Sequence, residues 1–222
     1  MAAAWTKIVL DVEDESGRLE APPLQLLALA DAESSIDAGA LLREAVIEDP
    51  PYWALVWTGA RAIAARLAAF PLDERTRVLD LGCGLGLSGL AAAARGAKVV
   101  FGDYLEEPLE FVRASLGGLG LEGCEVKRVD FTRAEDHGRF HLVLAADIVY
   151  DPAHYGPLAE FLDRHLAEEG CILLTESLRA DARVFLEGLE KRGFEDNRRA
   201  LWVMEDGRRE RTWLHELRRA AR

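Results

Sequence analysis

The sequence predicts an α/β fold: a doubly wound, mostly parallel seven-stranded sheet that ends in a C-terminal antiparallel hairpin. Three observations predict it. Short apolar runs alternate with amphipathic stretches from residue 77 onward, which demands parallel strands with helices on both faces. A glycine-rich turn directly follows the first of those runs. The last two runs, Ala200 to Met204 and Thr212 to Leu217, are separated only by Glu205-Asp206-Gly207-Arg208, a hairpin signal.

Taken in order, Trp5 to Leu19 reads as a short hairpin broken at Gly17, and Pro22 to Asp49 as loop plus one short helix. After Pro50-Pro51, residues Trp53, Val56, Trp57, Ala60, Ile63, Ala64 and Leu67 recur at spacings of three and four, which predicts an amphipathic helix over Tyr52 to Leu67. Strands are then expected at Arg77–Leu81, Lys98–Phe101, Val126–Val129, Phe140–Ala146 and Cys171–Thr175. Helices fall between them at Leu87–Arg95, Pro108–Leu116, Pro157–Leu166 and Asp181–Lys191. Residues 1–50 are expected to be an extension and residues 51–222 the main domain, because 222 residues leave little room for a second core.

Composition narrows the function. The net charge of −12 repels a phosphate backbone and argues against bulk nucleic-acid binding. The charge is uneven: 11 basic and 9 acidic residues lie from Asp181 onward, against 16 and 30 before it, leaving room for a local basic strip. Cys83, Cys124 and Cys171 are widely spaced, with no CxxC pair, so neither a disulfide framework nor a structural metal is suggested and a reducing, cytoplasmic setting is expected. No uncharged apolar run approaches 18 residues and no secretory leader is evident, so no membrane span is expected. The protein is expected to be a monomer.

The chemistry concentrates at strand ends. Asp80-Leu81-Gly82-Cys83-Gly84-Leu85-Gly86 closes the first core strand, and Gly84-Leu85-Gly86-Leu87-Ser88-Gly89 within it also satisfies the GxGxxG dinucleotide pattern. Spacing alone cannot choose between them. A pyrophosphate wants only backbone N–H groups, whereas a carboxylate at the strand's exposed tip, as expected for Asp80, suits a ligand carrying a sulfonium and an ammonium. Asp103, ending the second strand beside Tyr104, can accept both hydroxyls of a ribose. Asp130-Phe131 could hold an adenine by its amino group and by stacking, or be a turn Asp before a core Phe. Ala145-Ala146-Asp147-Ile148-Val149-Tyr150 follows the fourth strand, and in a doubly wound sheet it should face the same crevice as the glycine loop. His154 just beyond is a second basic group there, more simply read as a surface residue.

These residues resemble the seven-β-strand, Rossmann-like class I methyltransferases that use S-adenosylmethionine (SAM) and release S-adenosylhomocysteine. Pro51-Tyr52-Trp53-Ala54-Leu55-Val56-Trp57-Thr58-Gly59 and the Asp147-x-x-Tyr150 element are similar to the protein-lysine methyltransferase group, the electron-transfer-flavoprotein β-subunit lysine methyltransferases among them. The resemblance spans roughly Pro50 to Leu217, and departs from the Trp-Pro-Gly-Gly common in that group at Trp57-Thr58-Gly59-Ala60. It implies that Asp80, Gly82, Gly84 and Gly86 hold the amino-acid part of SAM, Asp103 the ribose, and Asp130 with Phe131 the adenine. Trp57, Cys83, Tyr104 and Ala146 would complete the cofactor site. Asp147 and Tyr150 would form the catalytic, acceptor side, with a lysine of a protein substrate as the acceptor. A small-molecule methyltransferase, a non-catalytic SAM- or nucleotide-binding interaction protein and an NAD dehydrogenase are the alternatives.

Overall fold

The computed structural model describes residues 2–30, 51–176, 182–205 and 207–220. Its elements are β1 (Ala3–Ile8), β2 (Val12–Asp14), β3 (Gly17–Arg18), β4 (Leu24–Leu29), a 3-10 turn (Tyr52–Ala54), α1 (Thr58–Arg66), β5 (Arg77–Leu81), α2 (Leu87–Ala93), β6 (Lys98–Asp103), α3 (Glu106–Leu119), β7 (Glu125–Arg128), β8 (Phe140–Ala146), α4 (Tyr155–His165), β9 (Leu166–Glu176), α5 (Arg183–Glu190), β10 (Phe194–Glu205) and β11 (Arg208–Arg219).

Strands β5 to β9 are parallel to their neighbours and run in the order β7-β6-β5-β8-β9, with the antiparallel β11 and β10 added beyond β9. Period-two alternation sorts their side chains onto two faces. Val78, Val99, Phe101, Leu142, Leu144 and Leu173 join one apolar cluster with Ile63 of α1, Leu90 of α2 and Val112 of α3. Leu79, Leu81, Val100, Val143 and Leu174 join the other with Phe161 of α4 and Phe185 of α5. Strands buried on both faces need apolar residues at every position, which is why the runs are nearly continuous rather than alternating.

The expected α/β architecture and the closing hairpin are present, with two corrections. First, the sheet has nine strands among the described residues, because β2 pairs with β10 and β3 with β2. The Gly17 hairpin is therefore real, but it is β2–β3, while Trp5 belongs to β1, which pairs with β4 in a separate two-stranded sheet. Leu24–Leu29 is thus strand where loop plus one short helix was expected; the rest of that stretch, from residue 31, lies outside the described residues, as does Asp181 at the start of a later expected helix. The small sheet rides on α3: Trp5 packs on Gly118, and the Leu27 N–H donates to Ser115 Oγ at 2.8 Å. Ile8, Leu10, Val12, Leu26 and Ala28 are buried in the same cluster as the α1 to α3 face.

Second, the helix expected from Tyr52 starts only at Thr58. Trp57 is extended (φ −74°, ψ 152°) and caps it. The Trp57 indole N–H turns back to the Tyr52 carbonyl at 2.8 Å, and Trp53 lies 5.4 Å from the Phe111 ring of α3. Spacings of three and four report which residues are buried; here the burial comes from a knotted aromatic turn held by tertiary partners, not from helix.

Candidate functional site

The strand order reverses between β5 and β8, and there the chain ends diverge to leave a crevice at the carboxyl ends of the strands. The cleft opens to solvent at this switch point, a usual place for a ligand site in such a sheet. Its floor is the glycine loop. Gly82, Gly84 and Gly86 all have positive φ (63°, 51° and 79°), so side-chain-bearing residues would be strained at each. A Cβ on Gly82 would sit 2.8 Å from Ile148 Cγ2, and one on Gly84 3.3 Å from the Trp53 carbonyl oxygen. The loop is bare because other backbone and side chains approach it closely, and Gly86 caps α2 directly.

Asp103 stands at one end of the loop, 5% exposed. Its Oδ2 accepts the Gly84 N–H at 3.0 Å and its Oδ1 the Leu105 N–H at 3.1 Å. Burial pushes its carboxyl upward, against the pull of the backbone N–H groups of Gly84, Leu105 and Tyr104. Burial likewise pushes the Cys83 thiol well up, reinforced by the negative charges of Asp80 and Asp103, so this cysteine is an inert lining group.

Asp80 departs from expectation. It is 2% exposed and does not line the cleft. Its Oδ2 accepts the N–H of Gly89, the third residue of α2, at 2.8 Å beneath the loop. The side chain at position 80 faces the helix side of β5, where the unpaired N–H groups and positive end of α2 offer a partner. Burial pushes its carboxyl up to about 7, with the Gly89 bond opposing and the neighbouring Asp103 assisting. The carboxylate therefore lies beneath the loop rather than at the exposed tip expected for it, and there it bonds to α2. Gly89 is part of this device, since a Cβ there would crowd Asp80 and the Phe101 ring.

Asp147 lies past the end of β8 and, among the described residues, is the non-glycine residue with positive φ (55°). Aspartate tolerates that conformation better than most residues, and a strained backbone of this kind is held by its surroundings. Its N–H donates to the Thr175 carbonyl at 3.2 Å, and its Oδ2 accepts the Gly59 N–H at 2.9 Å, the second residue of α1. A Cβ on Gly59 would collide with both Asp147 Oδ2 and Thr175 Oγ1. The carboxylate thus sits at the positive end of α1 and still borders the cleft.

An aromatic wall completes the opening. Tyr52 lies 5.9 Å from the Trp57 ring and 5.9 Å from that of Tyr150, which is 51% exposed at the mouth. Phe131 meets His154 edge-on at 5.6 Å on the Asp103 side.

Of the residues singled out from the sequence, Trp57, Gly82, Cys83, Gly84, Gly86, Asp103, Tyr104, Phe131, Ala146, Asp147 and Tyr150 share this one cleft. Asp130 does not line it: its Oδ1 accepts from Thr132 N and Oγ1, and its Oδ2 from Arg133 Nε, closing a local turn. These bonds hold its carboxyl below the ordinary range despite its partial burial. Sequence reasoning missed Gly59, whose signal was a lone glycine at the head of an alanine-rich helix, and the lining residues Val56 and Leu87, which carry no chemical signature.

Comparisons with known proteins agree with this geometry. Residues 55–192 match the family described as lysine methyltransferase. The chain is 32% identical over 129 residues to the electron transfer flavoprotein beta subunit lysine methyltransferase of Xenopus laevis, covering 56% of this chain and 51% of that one. It is 32% identical to the protein N-lysine methyltransferase METTL21A of Danio rerio over 57% of this chain and 61% of that one. The chain thus spans about half the length of the curated relatives it matches. In structure, a TehB-like SAM-dependent methyltransferase from Corynebacterium glutamicum superposes with a TM-score of 0.57 at 18% identity, over 84% of this chain and 97% of that one, a likeness of fold.

Proposed function

The chain belongs to the lysine methyltransferase family, and we propose that it is a SAM-dependent methyltransferase acting on the lysine side chain of a protein. One observation carries the reading: a loop with glycine at positions 82, 84 and 86 and a carboxylate seated on a helix N-terminus border the same aromatic-lined cleft. SAM, when bound, supplies an electrophilic methyl group on a sulfonium and leaves as the neutral thioether S-adenosylhomocysteine. The residues present fit such a ligand. Gly82, Gly84 and Gly86 present backbone to the cleft, Asp103 borders the space for a ribose, and Phe131 offers an apolar face for an adenine.

Methyl transfer is an in-line displacement, so this chain's main task is placement of the acceptor nitrogen about 3 to 3.5 Å from the methyl carbon. A lysine acceptor must also lose a proton, which at pH 7 costs roughly 4.6 kcal/mol from an ordinary pKa near 10.4. Tyr52, Trp57 and Tyr150 favour the neutral amine by excluding water from it. Asp147 accepts a hydrogen bond from the incoming ammonium and gives its proton a route toward solvent. One of its oxygens is already bonded to Gly59, so the carboxylate is held in one orientation for that task.

Residues 51–222 are proposed as the methyltransferase domain, with residues 1–50 as an extension whose strands pack onto α3 and β10. Among the described residues no helix is long and apolar enough to cross a membrane, and Cys83, Cys124 and Cys171 are free thiols. We propose a monomeric enzyme working in a reducing, cytoplasmic setting, with the free thiols as the observation that supports the reducing compartment. Incubation with tritiated SAM and host-cell lysate tests the function, with methyllysine recovered from the labelled protein band as the expected outcome. Label confined to small molecules, or no SAM binding by calorimetry, would sink it.

A further inference from the structure

The acidic chain carries one basic face that the cleft does not use. Strand alternation across the β10–β11 hairpin divides its side chains between two faces. Glu205 and Glu210 point to the α1 side, where Glu205 pairs with Arg61 and Glu210 accepts from Thr58 Oγ1 at 2.9 Å. The opposite face carries Arg198, Trp202, Arg209, Arg211 and Trp213, with Trp202 directly across from Arg211 in the ladder. Arg198 and Arg211 both lie over the Trp213 ring, at 4.4 and 5.3 Å, and Arg209 lies over Trp202 at 4.9 Å.

The carboxylates on this face are already engaged. Glu13 meets Arg209 at 3.4 Å, and Asp196 and Glu176 flank the buried His215 at 2.7 and 3.7 Å. Arg198 and Arg211 are exposed, and among the described residues neither meets a carboxylate. Two like charges sharing one indole repel, and an arginine held on an aromatic ring keeps its N–H donors available for a carboxylate. Such an arrangement is completed by an anion. The patch also adjoins the site: Trp213 pairs with Glu176, and the carbonyl of the preceding Thr175 accepts the Asp147 N–H.

We propose that the Arg198–Trp213–Arg211 stack, with Trp202 beside it, docks an acidic stretch of the methyl-acceptor protein and so presents a lysine to the cleft. This rests on the protein-lysine reading above. Arg198 and Arg211 are two guanidinium charges that meet no carboxylate among the described residues, on a chain whose net charge is −12, so an acidic partner is attracted to this pair and repelled by the chain at large. Aromatic and arginine side chains together are the usual energetic centres of protein interfaces.

The test uses fluorescein-labelled peptides of equal length, one with a single lysine among Asp and Glu and one with the lysine among Ser and Gly. A single-stranded RNA oligonucleotide is the third probe. Anisotropy titrations compare the full chain with the R198E/R211E double variant, whose exposed substitutions should leave its melting temperature unchanged, and with Trp213→Ala. The expected result is preference for the acidic peptide, weakened about tenfold or more by charge reversal and by added salt. Equal binding of the two peptides, an effect of the double variant under about twofold, or tighter binding of RNA would each overturn it. Calorimetric titration of SAM into both proteins separates this from the parent reading: intact SAM binding with no acidic preference removes only the docking surface, and absent SAM binding removes the methyltransferase reading itself.

Discussion

Asp80 and Asp147 are two carboxylates at the tips of adjacent strands, each accepting one N–H from the first turn of a helix, yet they have opposite fates. Asp80 lies within β5, in extended backbone, and its side chain is directed under the glycine loop to Gly89 of α2. Asp147 lies one residue beyond β8, where a left-handed turn swings its carboxylate to Gly59 of α1 at the border of the cleft. The partner chemistry is the same. The backbone conformation of one residue separates a carboxylate that builds the floor from one that can meet a substrate.

The largest effect expected from breaking this comparison is at Asp147. Asp147→Asn keeps an acceptor for Gly59 and a residue that tolerates positive φ, so the fold and SAM affinity should hold. Methyl transfer in steady-state assays should nonetheless fall about 10²- to 10⁴-fold, as for loss of a group handling a proton; wild-type turnover would disprove the assignment.

Next is Gly59→Ala, which forces Asp147 and Thr175 away from α1. Overpacking of this kind costs about 1 to 3 kcal/mol, read as a lower denaturation midpoint, and should carry a loss of turnover greater than the loss of SAM affinity. Retained turnover in a destabilised variant would show that the Asp147 seat is not needed.

At Asp80 the effect is on stability and depends on pH. Its carboxyl is raised from 3.8 to about 7 in the folded chain, so the folded state binds the proton more tightly than the unfolded one. The contribution of this group is greatest below about pH 4 and is lost as pH rises toward 7. Asp80→Asn is neutral throughout and should gain in stability relative to the parent over that window in urea titrations. A difference independent of pH would mean that Asp80 is not buried as described.

The smallest effect belongs to Asp130, a fourth strand-end carboxylate whose oxygens are spent on Thr132 and Arg133. Asp130→Ala should change SAM affinity by less than about threefold, or under roughly 0.7 kcal/mol. A larger loss in calorimetry would return it to the adenine side of the cleft.

How much of this was legible varies by element. The bounds of β5 and β8 can be read straight from the runs at Arg77–Leu81 and Phe140–Ala146, since strands covered on both faces are mostly apolar. Strand β9 reaches back to Leu166, beyond its apolar run, because Leu166 pairs with Phe140 across an irregular register that no local pattern announces. Leu24–Leu29 is short enough to suit helix or strand, and β1 decides the matter.

What the sequence by itself determined is the alternation of elements, and with it the sheet, the crevice at the strand ends and the glycine loop lying in it. These follow from periodicity and from the steric freedom of glycine, both local properties. Only the tertiary structure decided which carboxylates face the cleft, that Tyr52 to Trp57 is a turn rather than helix, and that Arg198 and Arg211 of the hairpin share the Trp213 ring. Those outcomes depend on partners in other elements, near or far along the chain: Gly89 for Asp80, Gly59 for Asp147, Phe111 for Trp53 and Trp213 for Arg198. A side chain's direction at a strand end is set by such partners, and spacing along the chain does not encode them.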